Sequence, residues 1–407
     1  MSERLPAAVA GGGIVGLACA LLLNRRCGWE VALVERSVPG RSGGRAPQRA
    51  LTLSPGVAEV LAECGLRHNG SAYSGRGDAG AFGEGAMPLV PGGHAFSRMV
   101  VWRGDGPPAP GNSITFDAAE LGVSALGCVA YEEPVRRALW ELAEQCPGVH
   151  LHSGAAFESL EITAEHGLLK LQDGSEIAAE LVVGADGGDS SFRQLLGIGF
   201  DSRGYGQRGL VFEAESDQSG GDTAWQRFVE GGTLALLPLG AGRWSIVWSL
   251  PNARAESLRS LDGKGLGKAL NKASASVAGK LVAATPIASF PLRRGLAARI
   301  CGERYALVGE AARVVHPLAG QGLNLGIGDV DALARVCAQR GSAMVGDARA
   351  LARFARERAR YGHEMSFGIH AINAAFSGPA APLAARGMAA VDRLPPLKRQ
   401  LAARAMR

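Results

Sequence analysis

The sequence predicts an α/β fold: a parallel-sheet domain interleaved with a second, β-sheet domain and followed by C-terminal helices. Three observations carry this expectation. An apolar run at 5–11 enters a glycine cluster and then an Ala/Leu-rich stretch, the order of strand, turn and helix. The middle of the chain, 208–250, breaks into short apolar segments between Gly and Asp turns. Nearly everything after Gly320 has helical composition and spacing.

Composition sets the bounds. At 407 residues the chain is long enough for two or three domains. With 47% hydrophobic and 20% charged residues it reads as globular rather than disordered. No apolar run approaches the roughly 20 residues that span a bilayer. The amino terminus lacks a basic segment followed by an apolar one and a cleavage site, so a cytoplasmic location is expected. Seven dispersed cysteines without a C-x-x-C pair suggest reduced thiols and no metal site. A net charge of +5 is too small to imply nucleic acid. It is unevenly spread: from residue 345 onward eleven Lys/Arg stand against Asp347, Glu357, Glu364 and Asp392. That excess is either a solvated helical face or a contact with an anionic membrane surface or acidic partner.

Taken in order, the first strand runs into Gly11, Gly13 and Gly16, a G-x-G-x-x-G turn, and a helix follows to about Arg26. Gly11 permits the tight turn, Gly13 lets a pyrophosphate approach the backbone, and Gly16 lets helix and strand pack closely. The helix start offers free N–H groups and the positive end of its dipole to phosphate. The next strand, Trp29 to Glu35, ends in a carboxylate 22 residues after Gly13, where it can accept hydrogen bonds from a ribose. This pattern fits NAD and FAD equally. Around Tyr73–Gly93 the chain turns Gly-rich and aperiodic and leaves the first domain; Pro134–Gln145 reads as a helix.

Residues 149–185 look like a small antiparallel meander, ending in a strand that runs into Asp186-Gly187, with Ser190 placed to cap a helix carrying Arg193. Strands are expected at Leu210–Ala214, Trp225–Val229, Thr233–Pro238 and Trp244–Leu250, in a sheet with one face open to a ligand. Phe212, Trp225, Phe228, Trp244 and Trp248 either wall an apolar ring pocket or pack between sheet and helices. Residues 254–280 read as helical. Tyr305–Gly309 returns as a strand, followed by Glu310, Arg313, His316-Pro317-Leu318-Ala319-Gly320-Gln321-Gly322-Leu323-Asn324 and Asp329. Glycines before a helix aim backbone N–H groups at a ligand and stabilise negative charge there. His316 beside Pro317 is a candidate catalytic pair, with a turn-shaping role as the alternative.

These segments together resemble class A flavoprotein aromatic hydroxylases, typified by para-hydroxybenzoate hydroxylase. The late segment is similar to that of the ubiquinone-biosynthesis polyprenylphenol hydroxylases. The resemblance covers essentially the whole chain. It implies a Rossmann-like FAD-binding domain of the glutathione-reductase type over 1–75, 98–195 and 296–335. A β-sheet substrate domain over 76–97 and 196–295 and a helical region over 336–407 complete the expected division. It also implies that Gly11, Gly13 and Gly16 hold the FAD pyrophosphate, with Glu35 and Arg36 at the adenosine. Arg49 would sit near the flavin, Asp186 at the pyrophosphate and at the nicotinamide donor, Glu310 at the ribityl chain, and Gly320, Gln321, Gly322, Leu323 and Asn324 against the isoalloxazine.

Two departures stand together. Glu310 replaces the usual Asp or Asn, and Arg313 stands where His is common, either adding charge beside the flavin or snorkelling to solvent. The implied reaction uses O2 and NAD(P)H to hydroxylate a phenolic ring through a C4a-hydroperoxyflavin, on a substrate expected to be prenylated. Contact with a membrane face or a ubiquinone-biosynthesis complex is a further expectation. A prenyl-reductase-like enzyme of the same fold and a non-catalytic lipid- or partner-binding relative are the alternatives.

Overall fold

A computed structural model of the chain describes residues 4–40, 49–67, 72–73, 87–219, 221–316, 320–339, 345–377, 387 and 391–406. Most of the Gly-rich stretch Tyr73–Gly93 and Pro317 lie outside these. Among the described residues the strands form an eight-stranded sheet, a nine-stranded sheet, a three-stranded sheet and a two-stranded pair.

The eight-stranded sheet starts from β1 (Leu5–Ala10), α1 (Ile14–Cys27) and β2 (Val31–Glu35). Gly13 caps the start of α1 in extended backbone. Gly28, at φ +67°, ends it in the left-handed conformation that favours glycine. Leu17 through Leu23 are all fully buried because α1 lies between the sheet and the later helix Gln321–Ala338, which explains why it is apolar nearly all round. β1 pairs in parallel with β2 on one side and with Glu176–Gly184 on the other. Val149–Ser153 extends the sheet in parallel beyond β2, and Tyr305–Leu307 pairs in parallel with the end of Glu176–Gly184.

The expected antiparallel meander over 149–185 is therefore only its middle. Phe157–Ile162, Gly167–Leu171 and the first half of Glu176–Gly184 are antiparallel, while both ends belong to the parallel sheet. Alternation in a short strand does not report its neighbour's direction. The run Leu181, Val182 and Val183, each 0% exposed, does mark a strand covered on both faces.

The nine-stranded sheet is built around Phe200–Ser216, Thr223–Val229, Gly232–Gly240 and Arg243–Pro251, as the turns predicted. Arg98–Arg103 pairs in parallel with Thr223–Val229, and Ser113–Asp117 adds the next strand. Residues 98–117, expected in the first domain, thus hydrogen-bond into the second sheet. Arg313–Val314 joins it too, against Gly295 and Leu296. A hairpin's own pattern fixes its pairing within itself but not the sheet it joins.

One face of this sheet, with Leu210, Phe212, Trp244, Ile246 and Trp248, packs on helices Asn252–Arg259 and Gly263–Ser274. Phe212, Trp244 and Trp248 are core residues, and Trp225 packs at the edge of the same cluster. Phe228 points to the other face and stacks on Phe376 at 4.0 Å between centroids. Four of the five thus pack with the helices, and Phe228 packs on Phe376. Strand alternation instead puts Gln207, Ser245 and Ser249 on the face opposite Phe212 and Trp248.

The three-stranded sheet, Ala50–Leu53, Gly127–Tyr131 and His94–Phe96, sits at the junction. Val129 and Phe96 pack there against Leu239 of the large sheet. At the C-terminal end, helix Ala348–Ser377 is fastened to Gln321–Ala338 by a buried ionic cluster. Asp329 Oδ1 accepts from Arg313 Nη1 and from Arg358 Nε, both at 2.7 Å, and its Oδ2 accepts from the Gly309 N–H at 3.0 Å. Arg313 is therefore turned into the core at 4% exposure; it neither snorkels nor stands free beside a ligand.

Candidate functional site

A cleft of about 750 Å³ opens along the C-terminal ends of the parallel strands, the place where this topology binds ligands. Gly11, Gly13, Glu35, Arg36, Arg49, Arg136 and Asp186 all line it. The glycine turn is forced by packing. A Cβ on Gly16 would lie 1.8 Å from the Gly11 carbonyl oxygen, and Gly11, at φ +110°, lies tight against Ala185. Gly13 differs: a Cβ there would meet nothing within 4 Å. Its glycine is not needed by the protein's own packing, which leaves the approach of a ligand as the reason for it.

Glu35 closes one end. Its Oε2 accepts from the Gly12 N–H at 2.5 Å, and its Oε1 accepts from the Ser37 N–H and hydroxyl at 2.8 and 2.7 Å. Arg136 braces this corner, donating to the Gly12 carbonyl at 2.9 Å and lying 3.7 Å from Glu35. Sequence reading missed Arg136; an arginine on an amphipathic helix gives no signal of its own. Three of the four acceptor positions of the Glu35 carboxylate are used, so one on Oε2 remains open. In the middle of the cleft, Asp186 Oδ2 accepts from the Phe192 N–H at 3.0 Å, while Oδ1 is buried without a hydrogen-bond partner among the described residues. Burial, offset in part by neighbouring N–H groups, raises the Asp186 carboxyl above its ordinary range. Ser190 caps the following helix as predicted, accepting from the Arg193 N–H at 3.0 Å.

The late segment lies beside Arg49, which lines the same cleft. Arg49 lies 3.6 Å from Glu132 and 3.9 Å from Glu310. Gly326 and Gly309 both abut Val15 of α1, so the helix after Gly320 is seated directly on the helix after the glycine turn. Gly320, at φ +64°, forms the cap of that helix, and Gly322 faces the Glu310 carboxylate. Gln321 and Leu323 are half-buried beside them. Asn324 turns inward: its Oδ1 accepts from the Ser54 N–H and its Nδ2 donates to the Thr52 carbonyl, both at 3.1 Å. It holds the helix start against strand Ala50–Leu53.

His316 belongs to a second, drier cluster where the late segment meets the large sheet. It is 1% exposed and edge-on to Tyr205, with ring centroids 4.9 Å apart. Gln207 Nε2 donates to the Gly231 carbonyl at 2.7 Å, so its Oε1 faces His316 Nε2 at 3.3 Å. A carbonyl oxygen only accepts; His316 Nε2 therefore carries the hydrogen. Burial lowers the His316 pKa to about 4, so the ring is neutral at physiological pH and a weak base. On the junction sheet, burial and the Glu213 carboxylate push the Tyr131 phenol up to about 12, which keeps it protonated.

The His316 shift has a thermodynamic consequence. The unfolded ring takes a proton near 6.5 and the folded ring only near 4. The unfolded state thus binds more protons in that window, and stability falls as pH drops through it. Urea denaturation should show a loss of about 3 kcal/mol between pH 7 and pH 4 from this group. His316→Asn should remove that part of the slope, and an unchanged slope would contradict the buried neutral ring.

A glycine-turn cleft at the ends of a parallel sheet, with a second glycine-capped helix seated on the first, is the arrangement of a dinucleotide-binding α/β protein. The chain belongs to the FAD binding domain family, which it matches over residues 4–366. It is similar to 3-demethoxyubiquinol 3-hydroxylase of Escherichia coli (strain K12), 33% identical over 404 residues that cover 97% of this chain and 96% of that protein. Ubiquinone hydroxylase UbiL of Rhodospirillum rubrum is 33% identical over 286 residues, 69% of this chain and 67% of its own. The p-nitrophenol 4-monooxygenase PnpA of Pseudomonas putida DLL-E4 superposes with a TM-score of 0.75 at 18% identity, over 99% of this chain and 97% of that one, a likeness of fold. The resemblance to flavin-dependent aromatic hydroxylases is thus borne out, as are the α/β fold and FAD as cofactor.

Proposed function

We propose that this chain hydroxylates the phenolic ring of a polyprenylated precursor in ubiquinone biosynthesis, using FAD, O2 and NAD(P)H, at the face of the membrane that holds its substrate. The observation that carries the reading is the alignment with 3-demethoxyubiquinol 3-hydroxylase over nearly the whole of both chains. The cleft supports it, because the residues present fit FAD: the open space at Gly13 suits a pyrophosphate, and the orphaned Asp186 oxygen and the open Glu35 position suit hydroxyl or N–H donors.

In this reading Gly11, Gly13 and Gly16 with the α1 dipole hold the pyrophosphate, and Glu35 and Arg36 the adenosine. Asp186 and Arg49 line the centre, and Glu310 takes the ribityl hydroxyls. The helix start at Gly320, Gln321, Gly322 and Leu323 lies against the ring, with Asn324 fixing its position. The bound flavin supplies the activated oxygen. The chain orients the phenol, excludes water and supplies neutral donors. His316 acts in this reading as such a neutral group, tied through Gln207, and not as a general base. Pro317 lies outside the described residues.

Purified protein should be yellow and should oxidise NAD(P)H faster when a phenol is added. Deleting the gene should accumulate a quinone precursor lacking one ring hydroxyl, identified by mass spectrometry. An unchanged quinone pool would remove the ubiquinone assignment, and protein that cannot be reconstituted with FAD would remove the reaction.

A further inference from the structure

Helix Pro395–Ala405 is built inside out. A helix on a water-facing surface buries its apolar residues and exposes its charges. Here Lys398 is 8% and Ala402 6% exposed, whereas Leu394, at the helix cap, and Leu397 and Leu401 are 52%, 39% and 44% exposed. The inward attachment is polar. Lys398 Nζ lies 2.8 Å from Glu120 Oε2 and 3.5 Å from Asp392 Oδ1, Asp392 accepts from the Thr115 N–H at 3.2 Å, and the Met406 carbonyl accepts from the Gly56 N–H at 3.1 Å. These contacts tie the helix to the large sheet and to helix Pro55–Glu63 and leave its leucines outside.

Positions 394, 397 and 401 fall on one stripe of a helix. Single exposed leucines need no explanation; a stripe does. Three of the seven large apolar side chains exposed among the described residues are these. The charge around them selects what covers them. Arg393 and Arg399 are exposed beside the stripe, and from Arg386 to the end Asp392 is the one acid against six Lys/Arg. Up to residue 344 the chain carries 32 basic and 34 acidic residues, so the positive excess is concentrated in the C-terminal region. An apolar stripe bordered by guanidinium groups complements an anionic lipid interface, with leucines in the acyl boundary and arginines at the headgroups. A second copy of the same basic face would instead bring like charges together.

We propose that helix Pro395–Ala405 is an interfacial docking element that seats the protein on an anionic membrane surface. Its purpose, delivering the active site to a lipid-borne phenol, rests on the function proposed above; the docking itself does not.

The test is co-sedimentation of the FAD-loaded full chain with vesicles of phosphatidylethanolamine and phosphatidylglycerol, beside vesicles of phosphatidylcholine alone. The wild type should partition to the anionic vesicles, less so as salt rises. Leu397→Glu/Leu401→Glu should weaken partitioning about ten-fold or more, and Arg393→Glu/Arg399→Glu should weaken it most at low salt. Both variants should keep their flavin absorbance and their thermal midpoint. Absence of wild-type binding to anionic vesicles overturns the proposal, as does equal binding by the leucine variant. A wild-type dimer that the leucine variant dissociates would show a second copy to be the occupant and also overturn it. Vesicle binding without hydroxylation of any phenol would defeat the function and leave the docking intact.

Discussion

Asp329→Ala is expected to lower the unfolding free energy by about 3–5 kcal/mol, the cost of leaving buried charge without its partner. Asp329 is 0% exposed and is shared by Arg313 and Arg358, at 4% and 7% exposure. Its removal strands two guanidinium groups in the core and the Gly309 N–H with them. The cluster is finely balanced even intact, because one carboxylate faces two cations and Arg313 Nη2 is buried without a hydrogen-bond partner among the described residues. Pairing the mutation with Arg313→Met should recover part of the loss, since an apolar side chain of similar length needs no counter-charge. Equilibrium urea unfolding of the single and double variants measures both effects. A single variant within about 1 kcal/mol of wild type would mean that water reaches the cluster.

Gly13→Val should abolish FAD binding and leave the fold intact. The added side chain meets no protein atom near its Cβ, so the apoprotein should melt within a few degrees of wild type. It would stand where the pyrophosphate must approach the backbone, and the FAD dissociation constant should rise about 100-fold or more, about 2.8 kcal/mol. Gly16→Ala is the contrasting case. Its Cβ meets the Gly11 carbonyl oxygen at 1.8 Å, so fold and cofactor binding should fail together. Fluorescence titration of apoprotein with FAD, run beside thermal melts, separates the two. Retained FAD affinity in Gly13→Val would displace the cofactor from this cleft.

Much of the site was legible because its chemistry is local. The turn Gly11–Gly16, the carboxylate ending β2 and the Ser190 cap depend on spacings within one strand–turn–helix unit, and each falls where the spacing placed it. The aromatics of the large sheet were ambiguous. Alternation shows that Phe212 and Gln207 take opposite faces but not which face meets helices and which meets the first domain. Arg313 was misread because its environment comes from far away in the chain: Asp329 lies a helix turn system later, and Arg358, one of many arginines in its stretch, carries no distinguishing signal.

The sequence by itself determined the opening strand–helix–strand, the strands within 208–250, the dinucleotide turn and the family, since these follow from periodicity, backbone freedom at glycine and residues close together along the chain. Only the tertiary structure decided that 98–117 joins the large sheet, that burial holds His316 neutral beside Gln207, that Arg313 is locked to Asp329, and that helix Pro395–Ala405 turns its leucines outward. Each of these depends on which distant groups meet and on how much water is excluded when they do, and neither quantity is written in any local pattern.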